Sequence, residues 1–284
     1  MDAILNLARY IAGHPLTRDR KLRGFSRLLR WQVESRLRCE VIVPWVEGTR
    51  LAARRGMAGA TGNIYCGLHE FEDMAFVLHF LRSGDLFVDV GANIGSYTVL
   101  ASGVCRARSL AFEPDPITFA ALSRNIALNR LDDLVQSREC ALGSWQGSVG
   151  FTVGLDTVNH VASVADATTR TVPLDTLDHA CGGERPNLIK LDVEGFESEV
   201  LGGAVETLGC PELRAIITED RSPRVIDFLH HAGFAEHSYD PFARQLRWVL
   251  GGGRGHNAIF VRDAAFVRHR LQSATPVRVL DKSL

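Results

Sequence analysis

The sequence predicts a doubly wound α/β protein with a mostly parallel sheet, and three observations carry that prediction. Four short apolar runs, at residues 86–90, 109–112, 187–191 and 213–218, contain or lead straight into an acidic residue: Asp89, Glu113, Asp192 and Glu219. Continuous apolar runs of this length are how strands buried on both faces read. Segments with apolar residues at helical spacing separate them, as βαβ units require. Gly91 and Gly95 follow the first run and let the chain turn tightly, with its backbone close to a ligand at the next helix N-terminus. In such a sheet the four carboxylates fall on one edge, the edge where ligands bind.

Taken in order, residues 1–60 read as a basic, partly helical extension. Arg18, Arg20, Lys21, Arg23, Arg27, Arg30, Arg36 and Arg38 face only Asp19 and Glu34, and Leu22, Phe25, Leu29, Val33 and Leu37 form an apolar stripe at helical steps. Two readings follow: a helix packed by that stripe on the main domain with a solvated basic face, or a basic amphipathic surface (residues 18–38) that touches anionic lipid or a polyanionic substrate. A helix is predicted over residues 63–81, with the lead-in at 67–70 expected to face a cofactor. Residues 96–105 form the crossover helix after the glycine loop, and 116–129 a further helix. A third strand covers 134–140, a turn 141–143, and antiparallel strands parts of 147–175, with 156–169 as a loop. Helices follow at 197–208 and 223–231, the latter stopped by Gly233. The last strands are predicted at 246–250 and 256–261.

The loop chemistry narrows the ligand. A dinucleotide fingerprint needs G-x-G-x-x-G for its amides to approach a pyrophosphate, whereas Gly91 and Gly95 are spaced G-x-x-x-G, with Asp89 just ahead. A carboxylate there repels phosphate and suits a cationic amino group. S-adenosyl-L-methionine, with an ammonium, a sulfonium and no phosphate, fits these demands. Glu113 lies 24 positions after Asp89, near the ~20-residue spacing at which nucleotide folds place an acid on ribose hydroxyls.

Apolar content of 46%, charged content of 23% and a net charge of −1 are ordinary for a soluble chain and give no global pull toward nucleic acid. The six cysteines show no close pairing, so a zinc site is not expected and reduced thiols are. With no long apolar span and no signal-peptide pattern, a cytoplasmic location is expected.

At these residues the chain resembles the FkbM-type S-adenosylmethionine-dependent methyltransferases. The resemblance rests on F-V-D-V-G-A-N-I-G at 87–95, F-E-P at 112–114, N-I-A-L-N at 125–129, A-L-G at 141–143, P-L-D-T-L at 173–177 and I-K-L-D-V-E-G-F-E at 189–197; residues 257–261 resemble the closing strand. It implies a class I methyltransferase (Rossmann-like) fold, with a seven-stranded sheet carrying one antiparallel strand near an edge. The implied division is a 1–60 extension, a cofactor-binding domain over 61–265 and a C-terminal tail over 266–284. The resemblance also places Asp89, Gly91, Ala92, Asn93 and Gly95 around the methionine end of the cofactor. Glu113 goes to the ribose and Ala141 beside the adenine, Pro114 joins the cofactor-binding residues, and Glu70 resembles the acid that the family often carries upstream of the first strand. Family members methylate hydroxyls on scaffolds as different as sugars and polyketide-type molecules, so a hydroxylated small molecule or saccharide is the expected acceptor.

Methyl transfer to a hydroxyl needs a base within reach of its proton. Asp192 and Glu194, just past the fourth strand, are the candidates; alternatively Asp192 positions the cofactor and Glu194 caps the next helix. His160 is a candidate auxiliary base, with His69 and His256 behind it. Asp192, Glu194 and Glu219 offer the hard oxygen ligands that suit magnesium, but no ligand spacing assigns a metal. Three rivals remain: a nicotinamide-dependent oxidoreductase, a non-catalytic binding module on the same fold, and an RNA methylase, which would want a broad basic face with interleaved aromatics.

Overall fold

The computed structural model describes residues 2–152, 169–249 and 257–284. The chain begins with helices α1 (Asp2–Gly13) and α2 (Lys21–Leu37), a hairpin of β1 (Val41–Pro44) and β2 (Arg50–Ala53), and helices α3 (Ala58–Cys66) and α4 (Phe71–Phe80). The helix expected over 63–81 is thus two helices. Gly67, at φ +87°, closes α3, because no residue with a Cβ readily takes that conformation.

From β3 (Leu86–Val90) the α/β alternation sets in: α5 (Ser96–Thr98) runs on as a π-helical turn over Val99–Val104, then β4 (Arg108–Phe112), α6 (Pro116–Leu128) and β5 (Val135–Arg138). A side sheet follows, with β6 (Ala141–Gly143) parallel to β8 (Thr169–Thr176) and β7 (Gly147–Thr152) antiparallel to it. Residues 141–143, expected as a turn, are therefore a strand. Next come α7 (Leu177–Cys181), β9 (Leu188–Leu191), α8 (Glu197–Gly202), α9 (Val205–Gly209), β10 (Ala215–Thr218) and α10 (Pro223–His231). The chain finishes with β11 (Ala235–Asp240), β12 (Gln245–Trp248), β13 (Ala258–Val261), α11 (Ala264–Gln272) and a small hairpin of β14 (Arg278–Val279) and β15 (Lys282–Ser283).

The main sheet has the order β12-β11-β13-β10-β9-β3-β4-β5. Strands β3, β4, β5, β9 and β10 are parallel, while β13 runs antiparallel between β10 and β11. This is the seven-stranded sheet with one antiparallel strand near an edge, extended by an eighth strand, β12, which pairs antiparallel on β11. Strand β11 escapes a reading by apolar runs because only His237 and Tyr239 of its six residues are buried. Strand order reverses between β9 and β4 on either side of β3, so the crevice above β3 is the topological switch point, where ligands of such sheets bind.

Period-two alternation splits the core into two layers. Phe87, Leu188, Ile217 and Val261 face α4 and α11, whereas Val88, Leu110, Ile189 and Ile216 face α8 and α10. The terminal segments are built into this body. Ile11, Trp31, Val41 and Ala53 pack with Ile64, Tyr65 and Ile94, and Val267, Leu271, Val279 and Leu284 join the core beneath α4. The Arg270 guanidinium grips both oxygens of Asp85, at 2.7 and 3.1 Å, fixing α11 to the start of β3. The face of α2 that packs is not the expected one. Gly24, Trp31 and Ser35 are buried; of the expected stripe Phe25 packs half-buried beside them, while Leu22, Leu29, Val33 and Leu37 are exposed. Trp31 offers the largest apolar surface on the helix, and Gly24 allows the close approach of Ile11, whose Cγ2 would lie 2.6 Å from a Cβ there. All six cysteines are free thiols.

Asn125 of α6 ties three parts together: its side-chain carbonyl accepts from the Ala52 N–H (2.7 Å), and its amide donates to the Ile94 carbonyl (2.8 Å). It is fully buried. Replacing it leaves two buried backbone groups unpaired, at ~1–3 kcal/mol each. Asn125→Ala is therefore expected to lower unfolding free energy by about 2–4 kcal/mol in urea titration, with an unchanged m-value.

Candidate active site

The carboxyl ends of β3, β4, β9 and β10 open into a cavity of about 270 Å³. The loop after β3 forms its floor. Gly91 has φ +77°, and a Cβ there would sit 1.8 Å from the Asp192 carbonyl oxygen, so only glycine lets the two strand ends meet this closely. The Gly91 and Ala92 N–H groups donate to the Phe112 carbonyl at 3.0 and 2.9 Å. Glu113 completes the loop: one carboxylate oxygen accepts from Asn93 N–H and the other from Asp115 N–H, both at 2.9 Å. Burial pushes its pKa up to about 7 despite these bonds. Gly91, Ala92, Asn93, Glu113 and Pro114 all line the cavity, and Ala141 and Leu142 of β6 close an apolar end with Phe112. Gly95 does not line it; at φ +86° it turns the chain into α5 and packs against Leu122.

Asp89 lies beneath the cavity rather than in its wall. It is fully buried, and one carboxylate oxygen accepts from the Thr98 hydroxyl at 2.6 Å while the other has no hydrogen-bond partner. Its register partner on β9 is Lys190, so period two puts both side chains on the same face of the sheet. Lys190 does line the cavity. Its ammonium lies 2.5 Å from Asp192 and 4.7 Å from the Tyr97 ring centroid, buried at 3% exposure. Burial alone would lower its pKa, but Asp192, Glu70 and Asp89 outweigh that and hold it above the usual lysine range. Glu70, also in the wall, accepts from the Tyr97 hydroxyl (2.7 Å) and from the Asn257 amide (2.9 Å), which also reaches Asp73 at 3.1 Å. Burial and the neighbouring Glu70 raise Asp73 to about 8.

Asp192, Glu194 and Glu219 converge at the mouth, with carboxylate oxygens within 4.8 Å of one another. Glu194 holds a left-handed φ of +52°, uncommon for a residue with a Cβ. The residue at the N-cap position of α8 is Phe196, and Glu197 in the first turn accepts from Val193 N–H. Burial, then repulsion from Asp192 and Glu194, raises Glu219 to about 7. A carboxyl poised there can hold or accept a proton near neutrality. The oxygens also have the spacing of a divalent-cation site.

His69 borders the cavity and is hydrogen-bonded by its Nδ1 to the Tyr10 hydroxyl at 2.7 Å. His160 and His256 lie outside the described residues. Sequence reasoning passed over Lys190, Tyr97 and Asp73 as functional groups. For Lys190 a signal was present: it is the one charge inside the apolar strand of residues 188–191, and a buried charge needs partners. Tyr97 and Asp73 read as ordinary helix positions.

Residues 89–236, just over half of the chain, match the family model described as the methyltransferase FkbM domain. Among curated relatives, the hexuronic acid methyltransferase AglP of Haloferax volcanii is 31% identical over 142 residues, covering 49% of this chain and 58% of that one. The 31-O-demethyl-FK506 methyltransferase FkbM of Streptomyces tacrolimicus is 30% identical over 187 residues, covering 52% and 71%. A solved precorrin-6y C5,15-methyltransferase from Geobacter metallireducens aligns over 74% of this chain and 91% of its own, with a TM-score of 0.41 and 11% identity, too distant a likeness to bear on function. With that domain match placed on the glycine loop, the Glu113 clasp and the acids after β9 and β10, the chain belongs to the FkbM methyltransferase-domain family.

Proposed function

We propose that the protein is an S-adenosyl-L-methionine-dependent O-methyltransferase acting on a hydroxyl of a saccharide or other small molecule. One observation carries the reading: a nucleoside-sized slot and a proton-accepting carboxylate cluster share a single cavity. Family membership implies the cofactor, and the residues present fit it. Phe112, Pro114, Ala141 and Leu142 suit an adenine, Glu113 keeps lone pairs for ribose hydroxyls, and the Gly91–Asn93 backbone, with Glu70 opposite, suits an amino-acid end. The relatives' names support the acceptor class, since one specifies a sugar acid and the other an O-linked methyl.

When bound, the cofactor supplies a methyl already activated on a sulfonium, so the protein's task is alignment, exclusion of water and removal of one proton. Orientation can contribute ~7–11 kcal/mol to such a step. Asp192 and Glu194 stand where an acceptor hydroxyl would enter, and Glu219 shares their negative charge. Lys190, paired with Asp192, fixes the Asp192 carboxylate and limits the repulsion among the three.

Calorimetric titration tests the cofactor first: S-adenosylhomocysteine is expected to bind at micromolar concentration and NAD not at all, whereas NAD binding alone would favour an oxidoreductase. Glu113→Ala is expected to weaken that binding by about 10- to 100-fold, the effect of losing hydrogen bonds to a charged group. Asp89→Ala is also expected to weaken it, by releasing Thr98 of α5 beside the loop and leaving Lys190 underpaired. By contrast, Asp192→Asn and Glu194→Gln should lower kcat by about 100-fold or more, the usual contribution of a general base, with cofactor affinity little changed.

The carboxylate cluster must be deprotonated to take a proton, and Glu219 holds one below about pH 7. The pH profile of kcat/KM is accordingly expected to rise with pH and level off above about 7; Glu219→Gln should displace that limb. Because Lys190 already supplies positive charge beside Asp192, turnover is expected to survive exhaustive chelation. Loss of activity restored by magnesium would instead give the three acids a metal.

A further inference from the structure

The exposed row on α2 has no role in the site described above. Leu22, Leu29, Val33 and Leu37 are 86%, 64%, 54% and 79% exposed. At ~100° per residue they share one face of the helix, and Leu22, Leu29 and Val33 lie roughly opposite Trp31, the anchor of the packed face. The row is therefore not spillover from the core but a second apolar face, about 22 Å long. Single exposed apolar residues are ordinary; four aligned on one helix call for a partner.

Charge decides which partner. Arg23 and Arg30 flank the row on one side and Lys21 and Arg36 on the other, and residues 18–38 hold eight basic and two acidic side chains. Arg20 and Arg23 share Asp281, and Arg30 pairs with Glu34, while Lys21, Arg36 and Arg38 make no ion pair among the described residues. A symmetric contact between two copies of this face would set like charges against each other. A nucleic acid would meet aliphatic side chains where stacking aromatics are wanted. We propose that α2 docks the protein on an anionic lipid bilayer, its leucine and valine row entering the headgroup boundary and its flanking basic residues contacting lipid phosphates.

The packed side of α2, opposite this row, leads toward the cavity. Arg27, on the flank of α2, donates to the Tyr65 carbonyl of α3 at 2.8 Å, and Gly59 of the same helix lines the cavity. A docked protein would be concentrated on a membrane, where an acceptor anchored in lipid is met. This last point rests on the methyl-transfer reading; the docking does not.

The test is sedimentation of the full chain with vesicles of pure phosphatidylcholine or of phosphatidylcholine with about one third phosphatidylglycerol. Binding to the anionic vesicles is expected to be at least about tenfold tighter and to weaken with salt. The double variant Leu29→Glu, Val33→Glu should lose that preference while keeping its melting temperature and its affinity for S-adenosylhomocysteine. Equal binding to both vesicles, no binding to either, or an unaffected double variant would overturn the proposal. A dimer seen by sedimentation velocity and abolished by the same substitutions would assign the row to a second copy of the chain instead.

Discussion

The buried ammonium of Lys190 is the constraint around which this site is arranged. An unpaired cation inside a protein costs several kcal/mol, so it persists only where carboxylates surround it. Asp192 sits on it directly, Asp89 lies across the β3–β9 register, Glu70 is held nearby by Tyr97 and Asn257, and the Tyr97 ring covers it. Four separate elements therefore have to be in place before the charge is neutralised. The cavity wall around the glycine loop and the carboxylate cluster are held in one geometry because both share this lysine's partners.

Close backbone contacts lock the same region mechanically. The loop after β3 touches the end of β9 because Gly91 carries no side chain, and Gly203, at the break between α8 and α9, approaches the Gly143 carbonyl so closely that a Cβ would lie 2.0 Å from it. The second contact seats the side sheet, with Ala141 and Leu142, against the helices that follow Asp192 and Glu194. The continuous helix suggested over 197–208 is broken at this point. Glu113 clasps the loop from the other side through two backbone N–H groups. A carboxylate placed by sequence spacing for a ligand thus also holds the loop that would cradle that ligand.

Around this centre the chain ends act as cladding. The N-terminal hairpin reaches the glycine loop through Asn125, and α1 reaches the cavity through Tyr10 and His69. The C-terminal helix is anchored by Arg270 on Asp85, at the entry to β3. Neither end is an appendage. Each supplies groups that fix the position of the first strand and its loop, while the outer face of α2 faces away.

The sequence by itself determined the α/β class, the parallel core strands, the glycine loop and the strand-end acids. Those features depend on local patterns: apolar runs, glycine spacing and the alternation of strand and helix. It also brought out Glu113 and Asp192, because polar residues at the ends of buried strands are conspicuous, with Glu194 just past the fourth strand, while Glu70 came from the family resemblance. The tertiary structure decided what depends on neighbours distant in the chain. The strand β11 is half polar and is held by its pairing with β13 and β12; Asp89 and its register partner Lys190 share one face of the sheet; Glu219 holds its proton because burial, and then the neighbouring Asp192 and Glu194, disfavour its charge. The same holds for α2, whose apolar stripe is left exposed apart from Phe25, because burial of Trp31 and the close approach of Ile11 to Gly24 fixed which side of the helix packs. Periodicity reveals that a helix has an apolar face, but only the surface it meets selects the face that is buried.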